Sequence, residues 1–100
     1  MDKQKYLETY FNDLRKIMDF DNKKIQDLIN VSEILLKTNN NGKKTLIFGN
    51  GGSAAIASHF SVDITKNAKI RCVNFNESDL LTCFSNDFGY EKWVEKCIEY

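Results

Sequence analysis

Three consecutive segments decide the fold: Lys43-Lys44-Thr45-Leu46-Ile47-Phe48, then Gly49-Asn50-Gly51-Gly52-Ser53, then Ala54-Ala55-Ile56-Ala57-Ser58-His59-Phe60. The first is short and apolar, with strand character, and the last opens a helix. A glycine-rich turn between a buried strand and a helix N-terminus presents backbone N–H groups and the positive end of the helix dipole to an anion. Glycine admits positive φ and lets a ligand approach the backbone with no Cβ in the way. Ser53 is expected to cap the helix and to offer its hydroxyl to a phosphate oxygen. The stretch therefore reads as a phosphate-binding βα unit. The alternative is a tight turn that binds nothing.

Working outward, Tyr6, Leu7, Tyr10, Phe11, Leu14, Ile17 and Met18 recur at helical spacing and predict an amphipathic helix over Lys3–Met18. Asp19-Phe20-Asp21-Asn22 breaks it, with Asp21 as the N-cap of a second helix over Asp21–Thr38, ended by Asn39-Asn40-Asn41-Gly42. On the far side of the glycine turn, the helix from Ser53 to Lys66 carries an apolar stripe of Ile56, Phe60 and Ile64. A turn at Asn67-Ala68-Lys69 leads to a second strand over Ile70–Phe75. A short helix through Leu80, Leu81, Cys83 and Phe84, capped by Asn76 or Ser78, precedes a polar turn at Ser85-Asn86-Asp87. Trp93, Val94, Cys97 and Ile98 share one face of a last helix. The order ααβαβαα predicts an α/β fold with a parallel sheet. The two leading helices carry more apolar surface than so small a sheet can cover, so they are expected to pack against a second copy of the chain.

Composition narrows the partners. Of 100 residues, 42% are hydrophobic, and fourteen basic side chains balance fourteen acidic ones. No basic run exceeds a pair of lysines, so a nucleic-acid partner is not expected. The start has no apolar signal segment, and no run approaches the ~20 apolar residues that span a bilayer. A cytoplasmic location with no membrane partner follows as an expectation. Cys72, Cys83 and Cys97 form no C-x-x-C pair, and each reads as a reduced thiol acting as a small buried hydrophobe. The last helix has no closing residue and two strands are few for such a sheet, so the chain reads as the front part of something longer.

The spacing Gly49-x-Gly51-x-x-Ala54 also meets the dinucleotide-binding fingerprint. That fingerprint expects an acidic residue at the end of the next strand, where Asn74-Phe75-Asn76 stands instead. The Walker A pattern fails for want of a Gly-Lys-Ser or Gly-Lys-Thr. His59 and Asp63 lie four residues apart on one helix face, which suits either a surface pair or half of a zinc site.

Gly49-Asn50-Gly51-Gly52-Ser53-Ala54-Ala55, followed by His59-Phe60, resembles the start of the sugar isomerase (SIS) domain of sedoheptulose-7-phosphate isomerases, also called phosphoheptose isomerases. A second similarity follows at Leu81-Thr82-Cys83-Phe84-Ser85-Asn86-Asp87-Phe88-Gly89-Tyr90. With the leading helix pair, the resemblance covers essentially the whole chain as one partial SIS domain, a helical pair over 1–40 and a βαβαα half over 41–100. It implies a flavodoxin-like α/β sandwich, a homotetramer and phosphosugar sites where subunits meet. By the same resemblance Asn50, Gly51 and Gly52 line the substrate site, Ser53 touches the phosphate, and Asn86 and Asp87 hold sugar hydroxyls. His59 would bind zinc, and Asp63 stands where the family has a glutamate that binds metal and acts as catalytic base. Aspartate is one methylene shorter, a loss of reach of about 1.5 Å. The family's second phosphate loop and late histidine-bearing helix have no counterpart here. Three functions follow: part of an aldose–ketose isomerase, a non-catalytic SIS module binding a sugar phosphate or a protein, and the disfavoured dinucleotide-binding domain. Some SIS relatives are non-enzymatic adaptors, one of them assisting bacterial replication initiation.

Overall fold

The computed structural model describes all residues, Met1–Tyr100, and divides into two compact units, Met1–Ile34 and Leu35–Tyr100. In the first unit, α1 (Lys3–Ile17) begins at Asp2, whose carboxylate accepts the N–H groups of Gln4 and Lys5 at 3.0 and 3.2 Å. Arg15 and Lys16 stand in its last turn, where cations favour the helix dipole. The next helix, α2 (Asn22–Asn40), starts as expected from Asp21, whose side chain accepts the Lys24 N–H at 2.8 Å. Neither helix buries a residue, and Tyr6, Leu7, Tyr10 and Phe11 of α1 stay exposed.

The second unit opens on the C-terminal end of α2. The Lys43 N–H reaches Thr38 O at 3.1 Å and the Gly42 N–H reaches Asn39 O at 3.1 Å, the paired bonds of a helix stop closed by glycine. Strands β1 (Thr45–Leu46) and β2 (Cys72–Val73) then pair in parallel, Thr45 opposite Cys72 and Leu46 opposite Val73. Parallel pairing on an α/β chain is what the element order predicts. The strands are shorter than the apolar runs Lys43–Phe48 and Ile70–Phe75, because each strand has a single neighbour and only residues that exchange ladder bonds are held extended. The alternation within the second run holds: Ile70 and Cys72 are buried, while Arg71 and Val73 are exposed.

Helix α3 (Gly52–Lys66) connects the strands and packs on β2. Its buried positions are Ala57 and Ser61, whereas Ile56 is 71% exposed and Phe60 faces outward too. Of the anticipated stripe of Ile56, Phe60 and Ile64 only Ile64 is half-buried, and the fully buried positions are the small residues beside it. Small side chains let the helix backbone come close to β2, and polar groups in the gap are satisfied. The Ser61 hydroxyl donates to Ser58 O at 2.8 Å and accepts from Asn74 Nδ2 at 2.6 Å. Asn76 Nδ2 donates to Ala54 O at 2.7 Å and to Ser58 Oγ at 2.9 Å.

Helix α4 (Ser78–Phe88) is capped by Glu77, not by Asn76 or Ser78, and runs straight through Ser85-Asn86-Asp87, where a turn was expected. Phe84 and Phe88 explain the extension: one turn apart, they meet edge to face at 5.6 Å. A 3-10 turn (Tyr90–Lys92) leads into α5 (Trp93–Glu99), which buries Trp93 and Cys97. The core centres on Phe48, stacked on Phe75 at 5.7 Å and edge-on to Trp93 at 5.6 Å. No helix is long and apolar enough to cross a membrane.

Arg71 ties the end of α2 to β2. Its Nε and Nη2 donate to Lys43 O at 3.1 and 3.0 Å, Nη2 also to Asn39 O, and its backbone N–H to Asn39 Oδ1 at 3.0 Å. Arg71→Ala is expected to lower stability toward urea by about 1–2 kcal/mol. Arg71→Lys should recover less than half of that, since an ammonium lacks the guanidinium fork. An unchanged urea midpoint in Arg71→Ala would show that the clamp contributes nothing.

Candidate functional site

The aromatic cluster around Phe48 holds the end of the first apolar run, and the chain must turn sharply after it to enter α3. Gly49 makes the turn sterically possible. A Cβ there would lie 2.1 Å from Ser53 O and 2.6 Å from Ala54 N, inside the backbone of the first helical turn. Gly51 is the N-cap of α3 at φ 58, ψ −123, a conformation closed to side-chain-bearing residues, and no side chain caps the helix. Ser53 is therefore not the cap. It sits inside the helix, with its N–H donating to Asn50 O at 3.0 Å.

The pattern of backbone bonds selects which donors remain. The Ala54 and Ala55 N–H groups turn back to Gly51 O at 3.0 and 3.4 Å. The N–H groups of Gly51 and Gly52 have no protein acceptor, and the exposed Ser53 hydroxyl has no protein partner. Two backbone donors and a hydroxyl at the positive end of a fifteen-residue helix are thus free to meet an anion.

His59 and Asp63 lie one turn apart on the exposed side of α3, with Nε2 and Oδ2 separated by 3.5 Å and the side chains 78% and 54% exposed. No third histidine, cysteine, aspartate or glutamate stands near enough to complete a metal-binding group. A tetrahedral zinc site needs four ligands, so the pair is half a shell at most.

Asn86 and Asp87 fall in the last turn of α4, where Asn86 Nδ2 donates to Asp87 Oδ1 at 3.2 Å. Asp87 Oδ2 also accepts from Cys83 Sγ at 3.6 Å. The Asp87 charge, followed by that hydrogen bond, holds the Cys83 thiol above its ordinary pKa, while burial alone raises Cys72 and Cys97. All three cysteines are free thiols, two of them buried. No hydrogen bond joins Asn86 or Asp87 to the glycine turn. Their neighbour Tyr90 makes that link, donating from its hydroxyl to Asn50 Oδ1 at 2.6 Å across 40 positions of chain. Tyr90 closes the second sequence motif, where local pattern marks no role for it. Its signal was only its place, directly after Gly89. An apolar pocket of about 360 Å³, between Leu46, Phe75, Phe84 and Cys97, includes none of Asn50, Ser53, His59, Asp63, Asn86, Asp87 and Tyr90.

The fold and turn define an α/β chain with a strand, a glycine turn and a helix N-terminus that offers free backbone donors. Comparison with known proteins specifies it further. The phosphoheptose isomerase of Geotalea uraniireducens (strain Rf4) is 36% identical over 75 residues, covering 69% of this chain and 40% of that protein. That of Syntrophotalea carbinolica is 32% identical over 100 residues, covering 93% of this chain and 51% of that protein. That of Helicobacter pylori (strain P12) is 33% identical over 82 residues, covering 75% and 43%. No family model and no solved structure matches. The chain is similar to phosphoheptose isomerases, as its two motifs indicate, and spans about half the length of the curated relatives it matches.

Gly49 and Gly52 differ in what an added Cβ would meet. Gly49→Ala should unfold or strongly destabilise the chain, by about 3 kcal/mol or more, because backbone must move to admit the methyl group. Gly52→Ala meets nothing within 4 Å and should leave the thermal midpoint unchanged or slightly higher. Equal midpoints for the two variants, measured by circular dichroism, would contradict the close approach at Gly49.

Proposed function

We propose that this chain forms the phosphate-holding part of a phosphosugar aldose–ketose isomerase acting on sedoheptulose 7-phosphate in heptose biosynthesis. The observation that carries the reading is the pair of free N–H groups at Gly51 and Gly52, at the head of α3. The names of the relatives support the substrate class. In this reading Asn50, Gly51 and Gly52 line the substrate, the Ser53 hydroxyl meets the phosphate, and Asn86 and Asp87 hold sugar hydroxyls.

Isomerisation moves a proton between adjacent carbons, which one positioned carboxylate can carry. Asp63 is the candidate base. His59 and Asp63 would contribute two ligands to a zinc ion, whose chemistry when bound is to polarise the sugar carbonyl. By itself the pair supplies too few donors for such an ion. The exposed apolar residues of α1 and α2 are the surfaces by which copies of the chain would associate.

A second reading has a specific observation behind it. It is a non-catalytic module that binds a sugar phosphate or a protein partner through the glycine turn, with free N–H groups at Gly51 and Gly52 and no need of the His59–Asp63 pair. Titration calorimetry and turnover assays separate the readings. Sedoheptulose 7-phosphate should bind, unphosphorylated sedoheptulose should not compete, and Asp63→Asn should keep the affinity within about threefold, since the phosphate seat is elsewhere. Turnover that Asp63→Asn abolishes supports the isomerase, and binding without turnover supports the module. Failure of the phosphorylated sugar to bind would overturn the isomerase and the sugar-phosphate module, and leave only a module for a protein partner.

A further inference from the structure

Asn50 is the one glycine-turn side chain that another element holds, and how it is held has a chemical consequence. A carboxamide has an acceptor end and a donor end of nearly equal shape. Tyr90 donates its hydroxyl proton to Asn50 Oδ1 at 2.6 Å, and Asn50 Nδ2 has no protein partner. The acceptor end is therefore occupied and the donor end is free. Both residues are exposed, so the bond adds little to stability. A separation of 2.6 Å suits O–H···O and is short for N–H···O, so the contact favours the amide orientation with Oδ1 toward Tyr90.

We propose that Tyr90 is a positioning residue. Its hydroxyl holds the Asn50 carboxamide with Oδ1 engaged, so that position 50 faces a ligand with Nδ2–H donors and is selective for acceptor oxygens of a sugar phosphate. This rests on the reading of the glycine turn as a sugar-phosphate seat. Without the Tyr90 hydroxyl the amide can rotate, and in half of its orientations a carbonyl lone pair would face the oxygens of the ligand. The same contact couples the two motif segments, Gly49–Ser53 and Asn86–Tyr90, which no other side-chain hydrogen bond joins. Loosening it frees the donor group as well as turning it.

The test compares the wild-type chain with Tyr90→Phe, Asn50→Ala and the double variant. Dissociation constants for sedoheptulose 7-phosphate and for inorganic phosphate are measured by calorimetry. Tyr90→Phe should weaken sugar-phosphate binding about 3- to 10-fold, the scale of one net hydrogen bond. Asn50→Ala should weaken it at least as much, and the double variant no more than Asn50→Ala alone, because Tyr90 acts through Asn50. Asn50→Asp keeps an acceptor for Tyr90 but removes the donors, and should bind worst. In the ligand-free chain, Tyr90→Phe should displace the Asn50 side-chain NH2 resonances while the melting temperature stays near wild type. Wild-type affinity in Tyr90→Phe, additive losses in the double variant, or unmoved Asn50 resonances would overturn the proposal and leave the phosphate seat intact. Failure of the wild-type chain to bind either probe would remove both.

Discussion

The close approach of Gly49 to the first turn of α3 is the constraint on which the rest of the site depends. The chain leaving β1 for α3 must pass against the helix N-terminal backbone, and at Gly49 an added Cβ would stand 2.1 Å from Ser53 O, so only glycine fits. On one side the Phe48 ring is wedged between Phe75 and Trp93, which fixes where the turn begins. On the other, the Asn50 and Gly51 carbonyls accept the first helical N–H groups, which fixes where it ends. With both ends set, the Gly51 and Gly52 N–H groups have no protein acceptor left. The free donors result from packing and are not an added feature.

The placement of α3 follows from the same economy of space. Ala57 and Ser61 face β2, so the helix rests close against the strand, and Asn74 and Asn76 fill the remaining gap with hydrogen bonds to Ser61, Ser58 and Ala54. Asn76 holds Ala54 O, one residue beyond Ser53, so the polar strand end also steadies the first turn of the helix. A dinucleotide-binding domain would need an acid at this strand end for a ribose. Here the position is committed to structure.

Much of this was legible in the sequence because it depends on local rules. The Asp21 cap, the Gly42 stop, the parallel order of the strands and the glycine turn each follow from residue types at short spacing. Features that depend on packing or distant contacts were not legible. The apolar spacing of α3 points to burial of its large residues, although a close helix–strand contact selects small ones. The turn at Ser85-Asn86-Asp87 looked polar enough to end a helix, yet the Phe84–Phe88 pair carries α4 through it. The contact between Tyr90 and Asn50 spans 40 positions and leaves no trace in local pattern. Of the expected site, the structure joins His59 to Asp63 and Asn86 to Asp87, and it leaves these pairs without a hydrogen bond to the glycine turn.

The central claim, that packing leaves the glycine turn with donors for an anion, is tested most directly by the backbone amide resonances of residues 49–55 during titration with sedoheptulose 7-phosphate. The Gly51 and Gly52 amides should move most, in the downfield direction of a new hydrogen bond to phosphate, with Ala54 and Ala55 moving less because their N–H groups are already engaged. Shifts confined to residues remote from the turn, or equal across the whole first turn of α3, would contradict the account.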